Sequence, residues 1–300
     1  MTDRVQVLDT HMHGWQGITA VYLLDGPQPT VVDTGPGSSI EVLLAALEDA
    51  GVDSLAWVVL THIHLDHAGA AGHLARRFPE AKVVVRQEGA RHLADPSALW
   101  ASASRIYPNM EQLWGQMLPI PPDRIVAVSG DGPAVDLGGG RVLEAVYAPG
   151  HAKHHMALFD SGSGDLFLGD ALGVRVPDVG LVRPAAPPPE FDLELTIATA
   201  ARLRALRPTR VFPTHYGAAP DVDQIFEEAP GRYRQWVEAA EKVVAAGGGL
   251  EEMVLDFERR REEFYPDLAP EMLAKFEYSC SYTLNAMGIL RYLQRRSGQR

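Results

Sequence analysis

Four side chains of types that bind metal ions lie within a six-residue stretch of this sequence: His62, His64, Asp66 and His67. Imidazole nitrogens combined with a carboxylate oxygen suit zinc, and they suit iron or manganese nearly as well. On a regular strand His62 and His64 would point to the same face, because side chains alternate with a period of two. A tight turn would then bring Asp66 and His67 back toward the same point. The spacing therefore predicts a metal site at this stretch.

The flanking residues predict the elements that must position this cluster. Residues 56–60 form a short apolar run, which is typical of a buried strand. Ala70, Leu74 and Phe78 recur at helical spacing, so we expect the cluster on the turn between a strand and a helix. A histidine-rich surface tract without function is the alternative. Such tracts usually lie in low-complexity sequence, however, and not between a strand and a helix.

The stretch from Thr61 to Gly69 reads THIHLDHAG and resembles the HxHxDH signature of the metallo-β-lactamase superfamily. Four further segments resemble the other landmarks of that family, and they occur in the same order along the chain. These segments are Val31–Gly35, Pro149–His151, Phe167–Asp170 and Pro213–His215. The resemblance spans roughly residues 5–218 and is highly specific, because five separate motifs agree.

The resemblance implies an α+β fold, an αββα sandwich in which two sheets pack face to face between helices. It also implies a ligand set for two metal ions. His62, His64 and His151 would bind one ion, Asp66, His67 and His215 would bind the other, and Asp170 would bridge them. The family pattern further implies that Asp33 braces the metal-binding loop by hydrogen bonding and does not bind an ion itself.

The expected activity is that of a binuclear metal-dependent hydrolase with two divalent ions, zinc first and iron or manganese as alternatives. A bridging carboxylate can hold two cations about 3.5–4 Å apart, where both lower the pKa of a shared water. The resulting hydroxide would attack the carbonyl carbon of a small ester, thioester or lactone, and the ions would stabilise the developing charge. Asp66 could orient this nucleophile and carry its proton to the leaving group. Tyr216 or His154 could donate a hydrogen bond to the oxyanion.

Several features leave the substrate class open. Glyoxalase II and lactonase relatives often read GHTxGH where this chain reads GHAKHH, so His154 replaces a glycine and His155 is expected to be structural. A mono-iron persulfide dioxygenase is the alternative function, because two histidines and one carboxylate would be a subset of the predicted ligands. A phosphodiesterase or nuclease is less favoured, since a net charge of −12 argues against a protein that binds a phosphate backbone.

Composition places the chain among ordinary globular proteins, with 46% hydrophobic and 22% charged residues. The expected partner is a small-molecule substrate. Neither nucleic acid nor a membrane is predicted, because no apolar run approaches the ~18 residues of a membrane span. The single cysteine, Cys280, excludes an intrachain disulfide and fits a reducing cytoplasm. No signal peptide is visible after Met1, so we expect a cytoplasmic location.

The expected domain organisation is a metallo-β-lactamase-like domain over residues 1–218, followed by a helical C-terminal extension over residues 219–300. Residues 95–124 are rich in aromatic side chains, methionine and proline. They could cap the site as a lid for apolar ligands, or they could simply pack on the sandwich. The proline-rich residues 171–189 are expected to form an irregular loop over the site. The extension is expected to form three helices that pack on the sandwich or make a homodimer contact.

Overall fold

The computed structural model describes residues 5–107, 109–176 and 182–298, and its centre is a pair of β-sheets packed face to face. The first sheet has six strands, which lie side by side in chain order. They are β1 (Val5–Asp9), β2 (Ala20–Leu24), β3 (Thr30–Val32), β4 (Trp57–Val59), β5 (Lys82–Arg86) and β6 (Ile125–Val128). Strands β1 to β3 pair antiparallel, whereas β3 to β6 run parallel.

The second sheet begins with an antiparallel meander of four strands, β7 (Gly132–Gly138), β8 (Arg141–Tyr147), β9 (Met156–Asp160) and β10 (Asp165–Gly169). A short ribbon of β11 (Val174–Arg175) and β12 (Val182–Arg183) follows, and β13 (Arg210–Pro213) then pairs parallel with β10. The segment 171–189, expected to be an irregular loop, therefore contains a two-stranded ribbon. Its residues 177–181 lie outside the described residues.

The helices fall into a set that accompanies the sheets and a set that follows them. The described residues of the first set form α1 (Ile40–Asp49), α2 (Leu65–Ala68), α3 (Ala71–Arg77), α4 (Gln87–Ala94), α5 (Ser97–Ala103), α6 (Met110–Trp114) and α7 (Leu193–Ala205). Those of the second form α8 (Val222–Ala245), α9 (Leu250–Arg259), α10 (Arg261–Phe264), α11 (Pro270–Cys280) and α12 (Tyr282–Arg296). The expectation of three helices in this last region was wrong. Two of the expected helices are interrupted, one at Arg260 and the other at Ser281. The Ser281 side chain accepts a hydrogen bond from the Leu284 amide and so caps α12.

Alternation along the strands sorts the buried side chains into layers. Val59 and Val84 point between the sheets, where they pack with Phe167 and Phe212 of the second sheet. The neighbouring Val58 points the other way, into a core shared with α1 and α3. The outer face of the second sheet is covered in the same manner by α7 and the start of α8. This order of helix, sheet, sheet and helix confirms the predicted αββα architecture and α+β class.

Helices α8 to α12 enclose a core of their own. The ring of Trp236 lies 4.7 Å from that of Phe257, measured between centroids, in a cluster supplied mainly by these helices. Strand β12 connects this region to the sandwich through Arg183, which is fully buried. The guanidinium carbon of Arg183 lies 4.9 Å from the centre of the Phe276 ring and 4.3 Å from that of the Tyr282 ring. None of the described helices is long and apolar enough to cross a membrane.

Residues 95–124, apart from Pro108, which lies outside the described residues, form α5, α6 and the chain leading to β6. Met110, Trp114 and Met117 are buried in the core beneath the first sheet. Other side chains of the segment face a cavity beside the predicted ligands. The segment therefore packs on the sandwich with one part and covers the cavity with another.

Candidate metal centre

The seven side chains predicted as ligands converge at one edge of the two sheets. The turn between β4 and α2, together with α2 itself, supplies four of them. The parallel strands β10 and β13 both end at this edge, which brings together the residues that follow them. The seven are His62, His64, Asp66, His67, His151, Asp170 and His215, and within each of three groups the candidate ligand atoms lie within 4.8 Å of one another.

The first cluster consists of His62, His64 and His151. Nδ1 of His64 lies 2.9 Å from Nε2 of His62 and 2.9 Å from Nε2 of His151. Nδ1 of His62 donates to the Thr61 hydroxyl at 3.1 Å, and Nδ1 of His151 donates to the Ala185 carbonyl oxygen at 3.0 Å. When these two rings are neutral, each therefore directs an unprotonated Nε2 toward His64. Three nitrogens at this spacing can all bind one cation, whereas a single proton could be shared by only two of them.

The second cluster consists of Asp66, His67 and His215. Oδ2 of Asp66 lies 3.3 Å from Nε2 of His215 and 3.6 Å from Nε2 of His67. Nδ1 of His215 donates to the Ile18 carbonyl oxygen at 2.7 Å, and Nδ1 of His67 donates to Asp33 at 2.9 Å. Neither buried Nε2 atom has a hydrogen-bond partner in the described part of the chain. Because an unpaired buried polar atom is costly, these nitrogens indicate a ligand that is not part of the chain.

Asp170 lies between the two clusters and turns one oxygen toward each. Its Oδ1 atom lies 3.3 Å from Nε2 of His67 and 3.7 Å from Nε2 of His215, and its Oδ2 atom lies 3.6 Å from Nε2 of His151. Oδ1 is buried and accepts no hydrogen bond from any described residue. Five imidazoles and two carboxylates in this arrangement fit a pair of divalent ions, because the unsatisfied atoms are those that face other ligands.

The electrostatics of the two clusters differ. Burial, together with neighbouring imidazoles, lowers the pKa of His62 and His64 well below the ordinary value. Burial also opposes the charge on His67, but the surrounding carboxylates, Asp170 foremost, outweigh it and raise its pKa well above the ordinary value. Burial raises the pKa of Asp66, yet the two histidines of the second cluster outweigh it and lower that pKa to about 2. Without an ion, His67 of the second cluster is protonated at neutral pH, whereas the imidazoles of the first cluster are neutral.

Asp33 braces the second cluster from within the sandwich. It is fully buried directly after β3, with a φ of 57°. Its carboxylate accepts hydrogen bonds from the amide of Thr61 at 2.8 Å, from the hydroxyl of Thr214 at 2.6 Å and from Nδ1 of His67 at 2.9 Å. It thus links the ends of β3, β4 and β13 directly to His67, and through the Thr61 hydroxyl, which donates to Asp33 at 2.9 Å, it also reaches His62, in agreement with the bracing role expected for Asp33.

His151 of the first cluster is oriented from the C-terminal helices. Ala185 makes two hydrogen bonds here. Its carbonyl oxygen accepts from Nδ1 of His151, and its amide donates to the Tyr233 hydroxyl on α8 at 2.9 Å. The amide of Ala186 donates to Oδ1 of Asn285 on α12 at 2.8 Å. All of these groups are buried. The helices that were expected only to pack or to dimerise therefore also hold the backbone that orients a predicted ligand.

The backbone at Asp170 is fixed by His155, whose Nε2 accepts a hydrogen bond from the Asp170 amide at 3.0 Å. The preceding Gly169 has a φ of +53°, and a Cβ atom there would lie 2.6 Å from that Nε2 and 2.7 Å from the Thr61 hydroxyl oxygen. Glycine alone fits this position, which explains the Gly-Asp pair at the end of β10.

A cavity of about 280 Å³ lies beside the ligands and includes Asp66, Asp170 and His64 in its lining. His154 lines the same cavity, with its ring stacked parallel to that of His62 at a centroid distance of 6.0 Å. Burial lowers the pKa of His154 to about 3, so its imidazole is neutral at physiological pH. The structure therefore brings two of the three predicted catalytic residues, Asp66 and His154, to one cavity.

Tyr216 is the third, and it does not join them. The described residues that line the cavity do not include it, and its side chain packs against the core between the two sheets. Burial and the nearby Asp9 carboxylate raise the pKa of Tyr216. Tyr216 lies in the bend that follows β13, where its side chain turns to the core between the sheets while that of His215 turns to the ligands.

The sequence analysis expected the segment 95–124 near the site but did not identify most of the side chains that line the cavity. Leu99, Ala103, Ile106 and Tyr107 line it from one side, and their helical spacing was a signal that could have been used. Leu284 of α12 lines it from another side. No local pattern indicates that contact, because it depends on the break at Ser281 and on long-range packing.

A sequence model of the metallo-beta-lactamase superfamily matches residues 14–215 of the chain. A metallo-beta-lactamase fold-containing protein from Sulfurisphaera tokodaii is 31% identical over 205 residues, which cover 67% of this chain and 73% of that protein. A hydroxyacylglutathione hydrolase from Synechococcus sp. is 28% identical over 152 residues, which cover 51% of this chain and 48% of that enzyme. The chain thus matches about half the length of this second relative.

The fold is also that of a solved structure, an archaeal metallo-beta-lactamase superfamily protein from Sulfolobus tokodaii. The two structures superpose with a TM-score of 0.72 at 23% sequence identity, over 96% of this chain and 99% of that one. This coverage is wide enough to include the helical C-terminal region. The predicted family is confirmed: the chain belongs to the metallo-beta-lactamase superfamily, whose members are mostly hydrolases.

Proposed function

We propose that this protein is a binuclear metal-dependent hydrolase that cleaves a small ester, thioester or lactone. The observation that carries the proposal is Asp170, whose two oxygens face opposite ligand clusters while Oδ1 accepts no hydrogen bond from the described residues. A relative named as a hydroxyacylglutathione hydrolase supports hydrolysis as the reaction type. Zinc suits this donor set first, with iron or manganese as alternatives. When bound, two divalent ions would supply Lewis acidity and a water of lowered pKa.

Asp66 would act as the proton carrier of the reaction. Its carboxyl is ionised at neutral pH, because the adjacent histidines lower its pKa to about 2, and its side chain lines the cavity. It can accept a hydrogen bond from the attacking water, take up the proton and pass it to the leaving group.

His154 would act on the substrate carbonyl. Its imidazole is neutral, and its Nδ1 atom accepts a long hydrogen bond from the Ile63 amide at 3.5 Å. A neutral imidazole can donate one hydrogen bond to the oxygen on which negative charge develops. Tyr216 lies outside the cavity and is not assigned this role.

Metal content and hydrolysis, measured on the same preparation, test the proposal. We expect two equivalents of metal per chain and steady hydrolysis of p-nitrophenyl esters or acyl thioesters. His62→Ala and Asp170→Ala should each lower kcat/KM by about 100-fold or more, since even the loss of an outer partner of a ligand costs ~10–100-fold. His73→Ala, at a half-buried histidine outside the ligand set that donates to the Gln116 carbonyl oxygen, is the matched control. Full activity in Asp170→Ala, or no metal uptake after reconstitution, would contradict the proposal.

A mono-iron persulfide dioxygenase is the second candidate. The observation in its favour is that His62, His67 and Asp170 form a group of two histidines and one carboxylate, a set that suits non-haem iron. Oxygen consumption with glutathione persulfide, one iron per chain and no ester hydrolysis would together establish it. A small molecule is the proposed partner in both cases. The homodimer contact and the cytoplasmic location stay predictions.

A further inference from the structure

We propose that the cavity beside the ligands is a subsite for an uncharged, apolar acyl group of the substrate. The proposal rests on the hydrolase function above and names the substrate class for that site. Three separate parts of the chain form the subsite jointly: the segment of α5 and α6, the proline run 187–189 after β12, and the junction of α11 and α12.

The walls away from the ligands present mainly carbon. Leu99 and Ile106 come from one side, the proline run from a second and Leu284 from a third. Tyr107 and Trp114 add an aromatic corner, with their rings edge to face at a centroid distance of 5.1 Å. Apolar surface of this kind binds a hydrocarbon group by removing it from water.

The charges around the cavity exclude an acidic acyl group. No lysine or arginine belongs to the described residues that line it; Asp66 and Asp170 lie at the ligand end, where bound ions would offset their charge, and Glu190 is the charged residue of the remaining wall. Lys153, just outside, is already paired with Glu190 at 3.7 Å between Nζ and Oε1. A carboxylate or a phosphate at the far end of the acyl group, away from the ligands, would therefore lose water without gaining a cationic side chain.

Cys280 belongs to the wall and not to the chemistry. Its thiol is buried, and its Sγ donates to the Pro184 carbonyl oxygen at 3.3 Å. Burial raises the pKa of Cys280 to about 12, so no thiolate is present at neutral pH. Since the thiolate is the nucleophilic form, this cysteine acts as a small apolar group.

The volume limits the length of the acyl group. A cavity of about 280 Å³ lies near the lower end of the ~300–1,000 Å³ range of small-molecule pockets. A hexanoyl or benzoyl group fits this limit, whereas an acetyl group leaves most of the cavity without contacts.

A series of acyl thioesters of N-acetylcysteamine tests the proposal on the metal-loaded protein. Burial of one methylene favours binding by a factor of roughly three to four, so kcat/KM should rise on the order of 100-fold from acetyl to hexanoyl. The adipoyl thioester has the same chain length as the hexanoyl compound but ends in a carboxylate. It should react at least about tenfold more slowly.

Binding supplies a readout that does not depend on turnover. The ketone analogue S-(2-oxoheptyl)-N-acetylcysteamine cannot be hydrolysed, and calorimetry should show that it binds more tightly than its counterpart ending in a carboxylate. Leu284→Lys places a cation in the wall and should reverse the order of hexanoyl and adipoyl substrates. Leu255→Lys, on the exposed face of α9, is the matched control and should leave the order unchanged.

The outcomes separate the two proposals. If the protein takes up metal but hydrolyses no member of the series while the ketone still binds, the hydrolase function fails and the subsite stands. If all thioesters are hydrolysed with equal kcat/KM, or if adipoyl is preferred by the unaltered protein, the subsite is wrong and the hydrolase function stands.

Discussion

The two ligand clusters are built from the same residue types but are supported by different parts of the molecule. His67 of the second cluster is held by Asp33, a buried carboxylate inside the sandwich. His151 of the first cluster is held by the Ala185 carbonyl, whose own position is fixed by Tyr233 of the C-terminal helices. A carboxylate increases the basicity of an imidazole more than a carbonyl does. The comparison indicates that the sandwich alone can form the second cluster, whereas the first cluster also needs the C-terminal region.

Asp33→Asn should produce the largest effect and should act mainly on the second cluster. It keeps the shape of the side chain but removes the charge that orients His67. We expect the affinity of one of two metal equivalents to fall by ~10–100-fold, with a similar loss of hydrolysis. Metal titration against a chromogenic chelator measures this. Asp136→Asn is the control, because the Asp136 carboxylate accepts a hydrogen bond from the Gly138 amide in a turn and lies outside the ligand set. Equal weakening of both equivalents would mean that the clusters are not separately supported.

Proton release should distinguish the clusters without any mutation. Burial opposes the charge on His67 and His215, but nearby carboxylates outweigh it and raise both pKa values, that of His67 well above the ordinary value, so His67 is protonated at neutral pH and must lose its proton when a metal ion binds. Burial lowers the pKa of His62 and His151, so their binding releases none. Metal affinity of the second cluster should therefore rise with pH through the neutral range. Calorimetry in buffers of different ionisation enthalpy counts the protons, and identical release for both equivalents would contradict the assignment.

Tyr233→Phe should produce the smallest effect and should act on the first cluster. It removes the hydroxyl that accepts from the Ala185 amide, so the carbonyl that orients His151 becomes less well fixed. We expect a loss of metal affinity near the lower end of the ~10–100-fold range, limited to one equivalent. Tyr292→Phe removes a hydroxyl that donates to Glu194, outside the ligand set, and serves as the control. An altered cobalt spectrum in Tyr233→Phe alone would support the positioning role. No change would show that α8 only packs.

The sequence predicted the local part of the site better than the distant part. His62 to His67 could be placed from a single stretch, because strand, turn and helix signals flank it. Asp170 and His215 were placed by resemblance, and the parallel pairing of β10 with β13 explains why they meet. The layers also followed from alternation, as the opposite directions of Val58 and Val59 show.

The distant part depended on contacts that no local pattern carries. The support of His151 by Ala185 and Tyr233 joins residues more than 30 positions apart along the chain. Tyr216 was expected at the substrate because of its position next to His215, but the direction of its side chain is set by packing between the sheets. Leu284 reaches the cavity because Ser281 ends one helix and caps the next, a break that was not among the three expected helices.

The junction of α11 and α12 carries an evolutionary consequence. It touches what enters the cavity but contributes none of the seven side chains that would hold the ions. A change at Leu284 can thus alter what the cavity admits while all seven side chains stay in place, whereas the adjacent Asn285 is constrained by its bond to the Ala186 amide. A lineage could acquire new substrates through such single positions while the chemistry, encoded more than 60 residues upstream, is inherited intact.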